Sequence, residues 1–235
     1  MVSERAERDA LFREERPRLE GTLGADHPFT LQVRLRAAMF VEHPGEAASR
    51  LRELCAAYVR LHPHREDKIG SCHYELAWLA AERGDAREAQ RAYAVAVAHP
   101  AHNPRRTTTA HAQLARLAGD LSAAIRLADS VASEATSAPT WWERFTAVDA
   151  LLVVAAAEET RGASAAANVA LRRARAVLSD PELNVQAIHI QRRRTRVTAL
   201  LALATRDRAL GDEALAWYRA AGGYEPMVLT LTNIR

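Results

Sequence analysis

The residues best suited to chemistry in this 235-residue chain are four potential metal ligands, His62, His64, Cys72 and His73, and a run of cations, Arg192-Arg193-Arg194-Thr195-Arg196. Imidazole and thiolate side chains bind zinc when their spacing lets them converge on one point. Here the four straddle a predicted helix boundary, and no pair has the i, i+4 spacing that sets two ligands on one helical face. They read as loop and helix-surface histidines, with no metal and no cofactor expected. The carboxylate pairs Glu14-Glu15 and Glu158-Glu159 are adjacent on helices, so their side chains diverge by about 100° and cannot share a substrate. A glycine-rich phosphate loop, a nucleophile elbow and a histidine–cysteine dyad are missing from the sequence. No catalytic residue is assigned, although a site assembled across helices would leave no local signature.

The arginine run lies inside the helical pattern IHIQRRRTRVTALLALA. Four arginines within five residues wrap around more than one helix face, which suits a solvated surface rather than a nucleic-acid-reading stripe. Nucleic acid is therefore not the expected partner. Residues 161–235 nevertheless carry 12 Arg against 6 Asp and Glu, so the formal net charge of +3 divides into about +6 there and −3 over residues 1–160. That imbalance favours acidic partners for the C-terminal half.

Composition places the chain among ordinary folded proteins, with 49% hydrophobic and 26% charged residues. The greasiest run, 147–157, contains Asp149 and falls short of a membrane span, and the N-terminus is charged throughout. A cytoplasmic protein with no membrane partner is expected. Cys55 and Cys72 are too few for a disulfide framework and read as reduced structural thiols. All basic residues but Lys68 are arginine, the bias of a GC-rich bacterial genome rather than of a function.

Apolar residues recur three or four apart along nearly the whole chain, and no segment alternates as a strand would. The expected fold is all-α. Tight breaks at His43-Pro44-Gly45, Gly84-Asp85, Gly119-Asp120, Gly162-Ala163 and Gly211-Asp212 alternate with a second, proline-containing kind at 21–28, 62–67, 99–104, 138–140 and 179–182. Glycine ends a helix in the left-handed region and a following Asp caps the next one, so two alternating break types predict stacked antiparallel hairpins. The spacing from Gly84 to Gly119 is 35 residues, from Gly119 to Gly162 is 43 and from Gly162 to Gly211 is 49. These are the periods of helical-repeat arrays. One continuous domain is predicted over 1–235: a half repeat at 3–22, hairpins at 26–62, 66–99, 104–136, 140–178 and 182–221, and a tail at 222–235. The helix from Glu182 to Leu210 is then unusually long.

In the third element pair, Leu76-Ala77 precede Gly84 and are followed by Ala89, Tyr93 and Ala96. Val154-Ala155, Gly162, Ala167, Leu171 and Ala174 repeat that spacing. LGADHPFTLQVR, Leu23 to Arg34, adds a sharper motif. On these residues the chain resembles the tetratricopeptide repeat family, and on the last motif its kinesin-light-chain-like branch. The resemblance implies a right-handed superhelical solenoid whose first helices line a concave groove. By that register the groove residues are Arg34, His73, Tyr74, Glu75, Trp78, Glu82, His111, Gln113, Arg116, Asp149 and Glu159, with Trp78 as aromatic anchor.

The implied function is a protein-interaction module, an adaptor or scaffold holding a partner protein or peptide segment. Two rivals stay open: a small-molecule or peptide sensor of a bacterial regulatory system, and a biosynthetic enzyme on a helical-repeat scaffold. Trp141 and Trp142 open the fifth hairpin directly after Pro139, and Trp217 reads as inter-helix packing. The apolar tail, with Met227, Val228, Leu229 and Leu231, is expected to pack on the last hairpin or on a second copy of the chain.

Overall fold

The computed structural model describes residues 17–39, 41–100, 103–180 and 188–233. Eleven helices are bounded within them: α1 Pro28–Met39, α2 Pro44–Leu61, α3 Glu66–Glu82, α4 Ala86–Ala98, α5 Pro104–Leu117, α6 Leu121–Thr136, α7 Trp141–Thr160, α8 Ser164–Leu178, α9 Ile188–Thr205, α10 Arg208–Ala221 and α11 Glu225–Thr232. Residues 17–23 are also helical, and no strand occurs among the described residues. The fold is all-α. Most of the half repeat expected at 3–22 lies outside the described residues. Two compact units divide the chain, Met1–His102 with Ala187–His189 and Asn103–Gln186 with Ile190–Arg235.

Within the first unit α1 packs on α2, α2 on α3 and α3 on α4. The α3–α4 hairpin closes on Gly84, whose φ of 80° is open to glycine at little cost. Asp85 N–H donates to the Ala80 carbonyl at 2.9 Å, and the Asp85 carboxylate accepts from Glu88 N–H at 2.9 Å. One helix is thereby terminated and the next begun within two residues. Helix α3 is apolar on most of its circumference, burying Ile69, Cys72, Tyr74, Leu76, Ala77, Trp78, Leu79 and Ala80. Helix α4 buries only the stripe Ala89, Ala92, Tyr93 and Ala96. Arg52 on α2 ties the hairpin turn down, donating to Glu88 at 2.5 and 2.8 Å.

The expectation of reduced thiols is overturned in this unit. Cys55 and Cys72 form a disulfide, with Cα atoms 5.6 Å apart and both side chains buried. Each cysteine lies six residues from the end of its helix nearest the α2–α3 connection, so antiparallel packing brings the two to one level.

In the second unit α5 packs on α6, α6 on α7, α7 on α8, and α5 also on α7. Its hairpins repeat the turn described above. Gly119 and Gly162 have φ of 85° and 82°, and the next residue donates back across the turn, Asp120 to Ala115 at 2.9 Å and Ala163 to Glu158 at 2.8 Å. The last hairpin departs from expectation. Helix α9 ends at Thr205, not at Leu210, and the left-handed position is held by Arg206 with φ of 56°. Asp207 N–H donates to Ala202 at 3.1 Å and the Asp207 carboxylate caps Leu210 N–H at 3.2 Å, the same bond pattern as the glycine turns. Gly211, read from the sequence as the turn, is buried inside α10. The spacing from Gly162 to this turn is therefore 44 residues rather than 49.

The tail packs back on α10. Tyr224 and Leu231 join Ala199, Ala202, Ala214, Leu215 and Tyr218 in one buried cluster, with Trp217, Met227 and Val228 against it. The Tyr218 and Tyr224 ring centroids are 4.8 Å apart.

The disulfide closes a loop of 17 residues, and removing such a cross-link costs about 3 kcal/mol through the entropy returned to the unfolded chain. We expect Cys55→Ala/Cys72→Ala, or dithiothreitol on the native chain, to lower the urea midpoint correspondingly. Equal midpoints with and without reductant would show that the bridge contributes nothing.

Candidate functional site

The residues assigned to a groove differ in burial. Tyr74, Glu75, Trp78 and Asp149 are buried, whereas Arg34, His73, Glu82, Gln113 and Arg116 are half-buried and His111 and Glu159 exposed. Tyr74 faces the other helix of its own hairpin, its ring edge-on to Tyr93 at 5.9 Å. Trp78, one turn further along the same apolar helix, is 7% exposed and presents no ring to solvent. Five of the other positions are engaged locally. Arg34 lies 4.0 Å from Glu20, Arg116 donates to Gln113 at 3.0 Å, and the Nδ1–H groups of His73 and His111 donate to the carbonyls of Ile69 and Thr107 at 2.9 and 3.1 Å.

Of the four candidate metal ligands, Cys72 is held in the disulfide and His73 is turned to its own helix. His62 Nε2 is 2.8 Å from the Asp26 carbonyl. Among the described residues no three His, Cys, Asp or Glu side chains are placed to hold a metal ion. No helix among them is long and apolar enough to cross a membrane.

The arginine run overturns the reading of a solvated face. Arg192 and Arg193 are 2% and 1% exposed, and Thr195 and Val197 are also buried. Arg193 donates to both Asp149 oxygens, from Nε at 2.8 Å and a terminal nitrogen at 3.2 Å, and its guanidinium sits 5.0 Å from the Phe145 ring centroid. Asp149 follows Phe145 by one turn of α7, so the ring and the carboxylate meet the same guanidinium. Arg194 donates to the Leu178 carbonyl at 3.1 Å and finishes the C-terminus of α8. A signal for this lay in the sequence: Ile190, Arg193, Val197 and Leu201 share one helical stripe, so Arg193 interrupts an apolar face. The pair fixes α9 against α7 rather than facing a ligand.

Solvent-facing features lie elsewhere in the second unit. Trp142, in the first turn of α7, is 45% exposed. Beside it Arg105 of α5 donates to Glu143 at 2.6 Å, and the Thr140 hydroxyl donates to the other Glu143 oxygen at 2.6 Å. The Thr140 bond, and after it the Arg105 cation, hold the Glu143 carboxyl below its ordinary range. These bonds fix the first turn of α7, from which the Trp142 side chain is exposed. Helix α8 separates two open clefts, one of about 610 Å³ reaching Arg144, Arg173 and Asp180, the other of about 550 Å³ reaching Arg172 and Arg175.

Compared with protein-family models and with curated proteins, the chain matches none.

Two outcomes follow from this geometry. Asp149→Ala leaves Arg193 buried without its doubly bonded acid and should cost about 3–5 kcal/mol, while Asp149→Leu/Arg193→Met should regain most of that loss. Chemical denaturation of the three chains checks it; a near-neutral Asp149→Ala would show that the pair does not order α7 and α9. Burial, with a smaller effect of His99, lowers the His73 pKa below 6.5. The unfolded chain then binds the proton more readily, so stability should be full above about pH 6.5 and decline as pH falls from there towards the folded pKa. His73→Gln should flatten that slope in thermal melts across pH 5–8.

Proposed function

We propose that the chain is an interaction module of the tetratricopeptide kind, an adaptor that holds a segment of a partner protein on its helical hairpins. The repeated hairpin turn, the 35-, 43- and 44-residue spacing of its left-handed positions and the packing of consecutive helices support this reading. On the same reading the hairpins wind as a right-handed superhelix. Modules of stacked hairpins bind through side chains left on the helix faces, without bond-making chemistry.

The observation that carries the reading is the exposed indole of Trp142. Tryptophan buries a large apolar surface on contact and loses little entropy in doing so, and it dominates interface energetics when framed by polar contacts that exclude water. Trp142 is exposed, and the Thr140–Glu143–Arg105 bonds hold the helix turn that carries it. His111, Gln113, Arg116 and Glu159 lie in the same unit as polar contacts for the bound segment. Trp78 has the opposite role, filling the interior of the first unit.

Parallel affinity capture from the native cell extract with the wild-type chain, Trp142→Ala and Trp78→Ala tests the assignment, together with thermal unfolding of each. Trp142→Ala should leave the melting temperature nearly unchanged and weaken a saturable protein partner by about 1–2 kcal/mol. Trp78→Ala should instead lose about 3–5 kcal/mol of stability. A partner retained equally by Trp142→Ala would remove the anchor assignment.

A further inference from the structure

We propose that the cleft between α8 and the α9–α10 turn binds an acidic peptide segment bearing an apolar side chain. The inference rests on the partner-binding reading and gives it a second contact surface with defined chemistry.

The cleft, about 550 Å³, has Arg172, Arg175 and Ser179 on one wall, Thr205 on the other, and Leu201 and Leu210 as its apolar floor. Arg172 and Arg175 are one turn apart on α8 and both exposed. Neither has an acidic partner among the described residues. The neighbouring cleft on the far side of α8 shows the contrast. Arg173 there bonds Asp129 at 2.9 Å, and Arg144 bonds Asp180 at 3.0 Å. The carboxylate lining this cleft, Asp207, accepts the Leu210 N–H at one oxygen. Flanking it are Arg206 and Arg208, both exposed. Two cations of α8 therefore stand over a floor of leucine, with two more exposed on the turn beside Asp207.

Arg206 is the telling residue. Its φ of 56° lies where the three preceding hairpin turns have glycine, and a side chain is disfavoured in that region. The turn forms with the same backbone bonds either way, so the arginine contributes nothing to closing the hairpin that glycine would not. What it adds is an exposed cation between Thr205 and Asp207, two residues that line the cleft. Carboxylates bind such a cluster through charge-assisted bonds, and an apolar residue between them covers Leu201 and Leu210. A nucleic acid fits less well, since no aromatic ring lines the cleft to stack a base.

Fluorescence anisotropy with a labelled twelve-residue peptide repeating Glu-Glu-Leu tests this directly on the full chain. Saturable micromolar binding is expected at low salt, weakened at least tenfold by raising NaCl from 50 to 500 mM. Arg172→Gln/Arg175→Gln should weaken binding at least tenfold with its circular dichroism unchanged. Arg206→Gly should bind several-fold more weakly while melting no lower than the wild type. A Gln-Gln-Leu peptide binding equally well, unchanged affinity in the double variant, or tighter Arg172-dependent binding of a single-stranded oligonucleotide would each overturn the proposal, as would no binding by the wild type. If Trp142-dependent capture persists while the acidic peptide fails, this inference alone falls.

Discussion

Two antiparallel helices joined by almost no chain must reverse direction while leaving few backbone groups unpaired. The solution used four times among the described residues is a single residue in the left-handed region followed by an N–H that reaches back five residues, at Asp85, Asp120, Ala163 and Asp207. Everything else follows from that reversal. It sets each pair of helices side by side, leaves a polar outer stripe on helices such as α4 and α8, and obliges helices such as α3 and α7 to be apolar on several faces. Where the capping residue is Asp, the carboxylate also satisfies an orphan N–H of the next helix.

Burial on several faces explains where the charged residues go. A helix enclosed by neighbours has few directions in which an arginine can reach water, so a cation within it must be paired inside the protein or shift the packing. Arg193 is paired, to Asp149 and over Phe145. Such an ion pair contributes little net stability against an apolar alternative, because desolvation offsets attraction, but it penalises every register that separates the two groups. The pair therefore selects how α9 lies on α7.

The helical class and most hairpin turns were legible because glycine and Asp are the direct chemical requirements of the turn. The last turn was not, because Arg206 does the work of glycine and Gly211 nearby offered a more familiar signal. The 49-residue spacing it produced was the warning, out of line with 43 before it. The disulfide was legible only with the helix ends known, since Cys55 and Cys72 are equidistant from the connection but 17 residues apart in sequence. Tyr74 and Trp78, assigned to an open face, are buried for a different reason. A register carried over from a family says which way a helix face points, and it takes for granted that the face is open. On α3 apolar residues surround Tyr74 and Trp78, and a period of 3.6 residues cannot tell an apolar face that meets a partner from one that meets the next helix.

Charge counted along the chain and charge presented at the surface differ for the same reason. The basic excess of residues 161–235 suggests a uniformly positive half, yet Arg161 is matched to Glu158, Arg173 to Asp129 and Arg193 to Asp149, and Arg192 is buried. What remains is local. Arg172 and Arg175 on α8 line one cleft with Asp207, and Arg206 and Arg208, either side of Asp207, are exposed. Because the screening length at physiological salt is about 8 Å, such a cluster is felt by a ligand in contact and hardly at all across the molecule. A surface of this kind selects a short acidic segment at one place rather than attracting polyanions in general, and that is the distinction between a docking site and a basic protein.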